Sequence, residues 1–413
     1  MATVCLLGTW DTKGEEYGWL RDRLREAGAT VLLVDVGGYS ADAPAEVSAQ
    51  EVAAAAGADL TELRIRRDRG AMTAAMAEGA ARIVRRLHAR GAIDGFLAAG
   101  GSSGSAIAAA AMQALPLGFP KLLVSTMAGG DVRPYVGETD ATLMYAVVDL
   151  AGVNSVSEQV LGNAAAAVAG MAEAYRRRRA GTPANARPAV ALTMFGVTTP
   201  AADEARRTLG ALGYETLVFH ATGSGGRAME SLIRAGLIAG VLDLTTTELA
   251  DELVGGVLSA GPERLTAAAR RGVPQVVSVG ALDMVNFGPP DTVPARFADR
   301  TLLRHNPTVT LMRTTAAEMA ELGRLLGSKV AAGTGPSAIH LPLRGVSAVD
   351  VAGGPFRDAA ADEALFTAVR DATAGTAVEV HERDEAINDP GFGRAMAHRL
   401  HHLISLTEED EPA

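Results

Sequence analysis

The chain of 413 residues contains one cysteine, Cys5. An internal disulfide and a cysteine-based zinc site are therefore excluded, and cysteine usage points to the cytoplasm. No uninterrupted apolar stretch is long enough to span a bilayer, and the N-terminus lacks the pattern of a signal peptide. We expect a cytoplasmic protein that does not insert into a membrane.

Basic residues are fewer than acidic ones, with 38 Lys and Arg against 48 Asp and Glu and a formal net charge of −10. This balance disfavours nonspecific binding to nucleic acid, so we expect no nucleic-acid partner. Aromatic residues make up only 4% of the chain, whereas small residues such as Gly, with 46 copies, are plentiful. Small side chains suit helices that pack closely on a mostly parallel sheet.

Apolar runs alternate with helical patterns along both halves of the chain, which predicts βαβ crossovers. The length favours about two to three domains. We place the boundary after a long Ala-rich helix, which gives an N-terminal nucleotide-binding subdomain over 1–183 and a C-terminal Rossmann-like subdomain over 184–413. The predicted fold class is α/β, with two Rossmann-like, doubly wound subdomains whose sheets are mostly parallel.

Two glycine and hydroxyl loops follow apolar runs in the first half, and a third follows the strand KLLVS. A strand that ends in such a loop and feeds a helix offers free backbone N–H groups at the positive end of the helix dipole, where a phosphate is stabilised. The candidate phosphate-binding residues in these three loops are Gly8, Thr9, Asp11, Thr12, Lys13, Gly100, Gly101, Ser102, Ser103, Gly104, Ser105, Thr126 and Asp131.

Lys13 carries the most specific signal in the first loop. A lysine in a first helical turn opposes the helix dipole unless an anion is present. Its ammonium can neutralise phosphate oxygens, and Asp11 can hold Mg²⁺ directly or through water. In the alternative interpretation, Asp11 or Thr12 is an ordinary helix cap and Lys13 is solvated.

A dinucleotide site is a further alternative, because Asp35 ends the second strand as a ribose-binding acid would. The first loop lacks the G-x-G-x-x-G pattern, and Asp35 lies farther from Gly8 than the usual spacing of about 20 residues. This pattern disfavours redox chemistry.

The second half carries a set of reactive side chains that follow apolar runs or lie in the adjoining loops. Such residues can supply a general base, the group that orients it and an anion-binding arginine. We predict that they line one catalytic pocket in the second subdomain, facing the crevice between the halves. In the alternative interpretation each is a cap or a satisfied loop residue. The set comprises His220, Arg227, Glu248, Asp283 and His305.

Long strings such as GTWDTKGEEY, GGSSGS, PKLLVSTMAGGDVRPYVG, VFHATGSGGRAME and INDPGF run nearly from end to end of the chain. In these strings the chain resembles the ATP-binding domain family of the tomato mosaic virus resistance protein and its bacterial and fungal relatives. The resemblance implies two Rossmann-like subdomains, a homodimer, and ATP bound by the loops at Thr9–Lys13 and GGSSGS. In fungal relatives a barrel domain resembling phosphoenolpyruvate-handling enzymes follows, so such a partner would be a separate chain here.

Together these patterns predict an ATP-binding protein that uses Mg²⁺ and acts as an ATP-dependent enzyme on a small carboxylated or phosphorylated metabolite in the crevice between the subdomains. The alternative is a nucleotide-stabilised module that binds and regulates a partner protein without turnover. No motif of a known hydrolase mechanism decides between the two.

Overall fold

The computed structural model describes residues 1–40, 43–180 and 187–409. The chain forms two compact units, Met1–Ala184 and Asn185–Ala413. Most of the segment in which the sequence analysis places the boundary, 181–186, lies outside the described residues. Each unit is a parallel sheet covered by helices.

The N-terminal unit contains five strands in the order β2-β1-β3-β4-β5, all parallel. This order places the topological switch point between β1 and β3, where ligands bind in open α/β sheets. Its elements are β1 (Thr3–Gly8), α1 (Trp10–Glu26), β2 (Thr30–Asp35), α2 (Ala49–Ala55), α3 (Leu60–Arg66), α4 (Arg69–Ala89), β3 (Gly95–Gly100), α5 (Ser102–Gln113), β4 (Lys121–Ser125), α6 (Arg133–Val136), β5 (Thr142–Tyr145) and α7 (Ser155–Ala180).

Alternation along β1 explains why helices cover both faces of this sheet. Val4 and Leu6 pack into a core cluster with α1 and α7, whereas Cys5 and Leu7 pack into a second cluster with α2, α4 and α5. All four side chains are buried. Successive side chains of a strand point to opposite faces, so an apolar run without alternation requires cover on both sides.

Tyr17 of α1 joins the first helix to the middle of the sheet. Leu7 and Ala98 are the last paired residues of β1 and β3. Beyond them, the Tyr17 hydroxyl accepts a hydrogen bond from the backbone N–H of Ala99 at 3.0 Å and donates to the Ala99 carbonyl. The phenol ring occupies the space beside Gly8, where a Cβ would lie 2.0 Å from the ring. Gly8 is therefore required for packing.

The C-terminal unit contains a six-stranded parallel sheet in the order β14-β13-β9-β8-β6-β7 and a three-stranded antiparallel sheet in the order β10-β12-β11. Its elements are β6 (Ala189–Met194), α8 (Thr199–Ala211), β7 (Glu215–His220), α9 (Ser224–Arg234), β8 (Gly240–Thr245), α10 (Glu248–Val254), α11 (Ala267–Arg271), β9 (Gln275–Gly280), β10 (Met284–Phe287), β11 (Leu302–Asn306), β12 (Val309–Arg313), α12 (Ala316–Ala331), β13 (Ser337–Pro342), α13 (Ala359–Thr373), β14 (Glu379–Arg383) and α14 (Phe392–Glu409).

The predicted fold class, α/β with two Rossmann-like subdomains and mostly parallel sheets, is confirmed. The antiparallel sheet was not predicted. Its strand β10 begins four residues after β9 ends and is only 4 residues long, so its pattern cannot be separated from a loop. Across the part of the chain that the structure describes, no helix is long and apolar enough to cross a membrane.

The Tyr17 bridge predicts a specific loss of stability. Tyr17→Phe removes the hydroxyl and leaves the buried N–H and C=O groups of Ala99 without this partner. We expect the variant to lose about 2–6 kcal/mol of unfolding free energy, because each of the two unsatisfied buried groups costs about 1–3 kcal/mol. Urea denaturation measures this loss. The matched control is Tyr145→Phe, whose side chain is 48% exposed; an equal effect in both variants would contradict the bridging role.

Candidate functional site

A cavity of about 620 Å³ lies in the N-terminal unit at the carboxyl ends of β1 and β3. The loop after β1 and the loop after β3 form opposite parts of its wall, and α4 and the segment after β2 complete it. The cavity therefore occupies the switch point of the sheet. Its volume lies within the range of about 300–1,000 Å³ that is typical of small-molecule sites.

The N-terminus of α5 forms a polar part of the wall of this cavity. Gly101 precedes the helix, and no side chain caps it. The first backbone N–H groups of a helix have no partner within the helix. Those of Ser102, Ser103 and Gly104 belong to residues that line the cavity, at the positive end of the helix dipole. Arg69, in the first turn of α4, donates from Nη2 to the Ser103 Oγ at 3.3 Å. The guanidinium of Arg69 therefore lies beside the N-terminus of α5.

The loop after β1 contributes Thr9, Thr12 and Lys13 to the same cavity. Thr12 Oγ1 donates to Thr9 Oγ1 at 3.0 Å, so the two hydroxyls lie side by side. Lys13 has a non-helical backbone, with φ −136° and ψ 33°, and its Nζ donates to the Leu150 carbonyl. An ammonium has three donors, so this contact still leaves Lys13 able to bind an anion.

Asp11 also lines the cavity, and Asp35 holds the loop after β2 that forms part of the cavity wall. Asp11 Oδ2 accepts a hydrogen bond from the backbone N–H of Tyr39 at 2.9 Å. Asp35 is buried and its Oδ1 accepts from the backbone N–H of Gly37 at 2.8 Å and from Ser40 Oγ at 3.1 Å. Burial raises the pKa of the Asp35 carboxyl. Asp35 therefore shapes the loop after β2 and does not reach out as a ribose-binding acid would.

Several lining residues were missed by the sequence analysis. The apolar wall comes from the loop after β2, from α4 and from α5, and Tyr39 stands at its edge with 59% of its surface exposed. Arg69 carries a signal that was available, because an arginine in a first helical turn opposes the dipole just as Lys13 does. The apolar wall residues carry no such signal, because their sequence pattern is that of ordinary core residues. They are Val36, Met72, Met76 and Ile107.

Five predicted phosphate-binding residues do not line the cavity. Gly8 and Gly100 end their strands, and Ser105 is buried with its Oγ 2.7 Å from Ser125 Oγ. The Ser105 hydroxyl therefore joins two loops and is not exposed to a ligand. Thr126 Oγ1 lies 3.8 Å from where a Cβ on Gly101 would stand, behind the loop. Asp131 is exposed and pairs with Arg133, which lowers the pKa of its carboxyl to about 2.

A metal site built from protein ligands alone is absent from the described residues, since no group of three His, Cys, Asp or Glu side chains converges there. Asp11 is the one acidic side chain on the wall of the N-terminal cavity within the described part of the chain. Mg²⁺ is commonly held by one or two carboxylates together with substrate phosphates. Asp11 fits that arrangement.

A second cavity, of about 270 Å³, lies in the C-terminal unit. His220 and Thr222 line it at the end of β7, and the turn after β6 adds Phe195. The hairpin of β11 and β12 places His305 on the same cavity. Two of the five residues predicted to form a catalytic pocket are therefore brought together, and the other three are not on its wall.

Glu248 is fully buried in an ionic network. Its Oε2 accepts from Arg264 Nε at 2.6 Å, and Arg264 also pairs with Asp243 and, at 3.6 Å, with Glu230. Its Oε1 accepts the backbone N–H of Gly223 at 2.6 Å and that of Gly226 at 3.0 Å. The glycine loop after His220 does bind an anion, but the anion is the chain's own carboxylate. Glu248 does not line the cavity with His220 and His305, and its catalytic role stays a prediction.

Asp283 belongs to a second buried cluster and does not line the cavity with His220 and His305, so its catalytic role also stays a prediction. Its Oδ2 accepts from Ser347 Oγ at 2.8 Å. Burial, followed by the charge of Asp350, raises the pKa of Asp283 to about 7. Arg313, which donates to Asp362 at 2.9 Å, supplies the nearby positive charge. Asp283 Oδ1 is buried and has no hydrogen-bond partner among the described residues, so only Oδ2 is paired within the fold.

Arg227, the fifth predicted residue, lies in the first turn of α9. Its Nη1 donates to the carbonyl of Ser259 at 3.0 Å. This hydrogen bond links the segment after α10 to α9. Arg227 does not line the cavity with the two histidines.

Comparison with known proteins covers both units. The model described as "Uncharacterised protein family (UPF0261) N-terminal domain" matches residues 2–177, and the C-terminal domain model of that family matches residues 187–404. The chain is 46% identical over 402 residues to a UPF0261 protein of Clostridium tetani, covering 97% of this chain and 98% of that protein. It is 47% identical over 401 residues to one of Rhizobium meliloti, with coverages of 96% and 97%.

A plant relative is similar over part of its length. The ToMV resistance protein Tm-1 of Solanum lycopersicum is 42% identical over 311 residues, which are 74% of this chain and 41% of that protein. Among solved structures, the glycosyltransferase SnogD from Streptomyces nogalater matches with 14% identity and a TM-score of 0.20, covering 98% of this chain and 99% of that one. That likeness is too low to support an argument.

The buried Asp283 predicts how stability depends on pH. Its pKa of about 7 in the folded protein exceeds the usual value of 3.8, so the native state binds this proton more tightly than the unfolded chain does. Its contribution to stability is full below the unfolded pKa and is lost as the pH rises toward the folded pKa. Asp283→Asn abolishes this ionisation. We expect the variant to be more stable than the wild type by about 2–4 kcal/mol near pH 8, with the difference shrinking toward about pH 4.

Urea denaturation of the C-terminal unit at both pH values checks the expectation for Asp283. Asp299→Asn, at an exposed position, is the matched control and should change neither value. A difference between Asp283→Asn and wild type that does not vary with pH would refute the assignment.

Proposed function

This chain belongs to the UPF0261 family, and we propose that its N-terminal unit binds ATP in the cavity at the switch point between β1 and β3. The observation that carries the proposal is the meeting of the uncapped N-terminus of α5 with Arg69 and Lys13 around one cavity. Backbone N–H groups at a helix N-terminus and two cations form a site for a polyphosphate.

Part of the cavity wall suits a nucleobase. Met72, Met76 and Ile107 supply apolar side chains to the wall, and the exposed Tyr39 supplies an aromatic ring. Adenine is a flat, largely apolar ring system, which packs well against methionine and tyrosine side chains. The site thus offers both charged groups and apolar surface, which the phosphates and the base of an adenine nucleotide require.

Mg²⁺ fits the same site as part of the bound nucleotide. Asp11 would hold it, with phosphate oxygens and water as the remaining ligands. The metal would neutralise phosphate charge close to Lys13. The chain's own residues would orient the phosphates through the N–H groups of α5 and through Arg69.

For the role of bound ATP we propose an ATP-dependent enzyme that acts on a small carboxylated or phosphorylated metabolite. The second cavity, with His220 and His305 on its wall, favours this role because it provides room and proton-transferring groups for a second ligand. Phosphate release from ATP that rises when a carboxylate is added would support the enzyme. Tight ATP binding without turnover, together with a copurified partner, would instead support a regulatory module. The homodimer and the separate barrel-enzyme chain stay predictions.

Arg69 gives the sharpest test of ATP binding, because its side chain is exposed and lines the cavity. We expect Arg69→Met to weaken ATP binding by about 1.5–3 kcal/mol, the range for a hydrogen bond to a charged group. This loss corresponds to a rise in Kd of about ten- to a hundredfold. Isothermal titration calorimetry in the presence of Mg²⁺ measures it.

Arg66→Met is the matched control, since Arg66 lies on α3 away from the cavity and its side chain is 68% exposed. Lys13→Ala should weaken binding by a similar amount, about 1.5–3 kcal/mol. Because Lys13 also contacts Leu150, its unfolding midpoint must be compared with that of the wild type. Unchanged affinity in both cavity variants would overturn the proposal.

A further inference from the structure

The second cavity is built from three separate parts of the C-terminal unit. The turn after β6 supplies Phe195, the end of β7 supplies His220, and the β11–β12 hairpin supplies His305 and Val309. Loops at strand carboxyl ends and a hairpin that folds beside them form a concave site in which residues distant in sequence converge.

The body of the cavity is small and apolar. Phe195, Leu258, Val309 and Leu311 line it, and the ring centroids of Phe195 and His220 are 5.4 Å apart. Its volume is about 270 Å³, against the roughly 150 Å³ of a cavity that binds benzene. It therefore holds one ring with a short substituent and is smaller than the usual site for a drug-sized molecule or a nucleotide.

Three polar side chains on the wall can donate hydrogen bonds, whereas the Thr222 hydroxyl donates to the His220 carbonyl at 3.2 Å and leaves only acceptor lone pairs. The imidazoles of His220 and His305 each offer an N–H group. The side-chain oxygen of Asn306 accepts from Thr308 N at 2.9 Å and from Thr308 Oγ1 at 3.0 Å, so its amide nitrogen is the end that remains to donate. No Asp, Glu, Lys or Arg is among the described residues that line the cavity. An anion would meet donors without a like charge, whereas a cation would meet no carboxylate.

We propose that this cavity binds a small monocarboxylate with an aromatic body, whose carboxylate accepts hydrogen bonds from His220 and His305 and whose ring packs against Phe195. The inference deepens the enzyme role proposed above by naming a substrate class. Binding here involves no nucleotide, so the failure of either proposal leaves the other one standing. The apolar walls select the ring, and the donors select the carboxylate over its neutral analogues.

Calorimetric titration of the whole chain with phenylacetate, without nucleotide, tests the inference. Phenylacetamide, which keeps the ring and lacks the charge, is the matched ligand. We expect saturable binding of phenylacetate and at least tenfold weaker binding of the amide. The variant His220→Ala/His305→Ala should bind phenylacetate about tenfold more weakly or worse, because hydrogen bonds to a charged group are lost.

Two further variants separate the cavity from general effects. Val309→Phe fills the cavity from a partly exposed position and should abolish binding while the unfolding midpoint stays near that of the wild type. His398→Ala removes an exposed histidine on α14, outside the cavity, and should bind as the wild type does. The proposal is overturned if wild type shows no saturable binding, if the amide binds equally well, or if Val309→Phe binds unchanged.

Discussion

The hydrogen bonds between the Tyr17 hydroxyl and the backbone of Ala99 fix the relation between the first helix and the central strand β3. Because the β1–β3 ladder ends at Leu7 and Ala98, this phenol replaces the missing strand partner. The loop after β1 and the loop after β3 open from these two positions. The distance between the lysine and threonines of one loop and the helix N-terminus of the other therefore depends on Tyr17, and so does the shape of the cavity between them.

The first five strands of the six-stranded sheet in the C-terminal unit have the same order as the five strands of the N-terminal unit. The two switch points nevertheless differ in what occupies them. In the N-terminal unit a cavity with polar and charged side chains on its wall lies at the carboxyl ends of β1 and β3. In the C-terminal unit two side-chain hydrogen bonds, each 2.7 Å long, close the corresponding position at the ends of β6 and β8. Thr193 of β6 donates to Asp243 of β8, and Thr198, in the turn after β6, bonds Thr245 of β8. Arg264 forms ion pairs with Asp243 and Glu248 and so neutralises both carboxylates. The second cavity lies instead at the end of the neighbouring strand, β7, and the β11–β12 hairpin also lines it.

The parallel strands and the two glycine loops were predictable because their signals are local: an apolar run, small residues, and a helix start. Arg69 shows a partial limit, since its charge in a first helical turn was readable but its position opposite α5 depends on packing between distant segments. The burial of Glu248 in an ionic network could not be predicted from the sequence at all. The glycine loop after His220 indicated an anion, and the sequence carries no sign that the anion is a carboxylate 22 residues beyond Gly226. Long-range ion pairs with Arg264 decide that outcome.

The central claim is that the N-terminal unit holds a nucleotide polyphosphate at the start of α5. A crystal structure of the chain with a non-hydrolysable ATP analogue and Mg²⁺ tests this claim most directly. The account predicts phosphate oxygens within hydrogen-bond distance of the backbone N–H groups of Ser102, Ser103 and Gly104, with Arg69 on the same phosphates and the base against Met72 and Met76. An analogue bound elsewhere on the chain, with this cavity empty at saturating concentration, would contradict it.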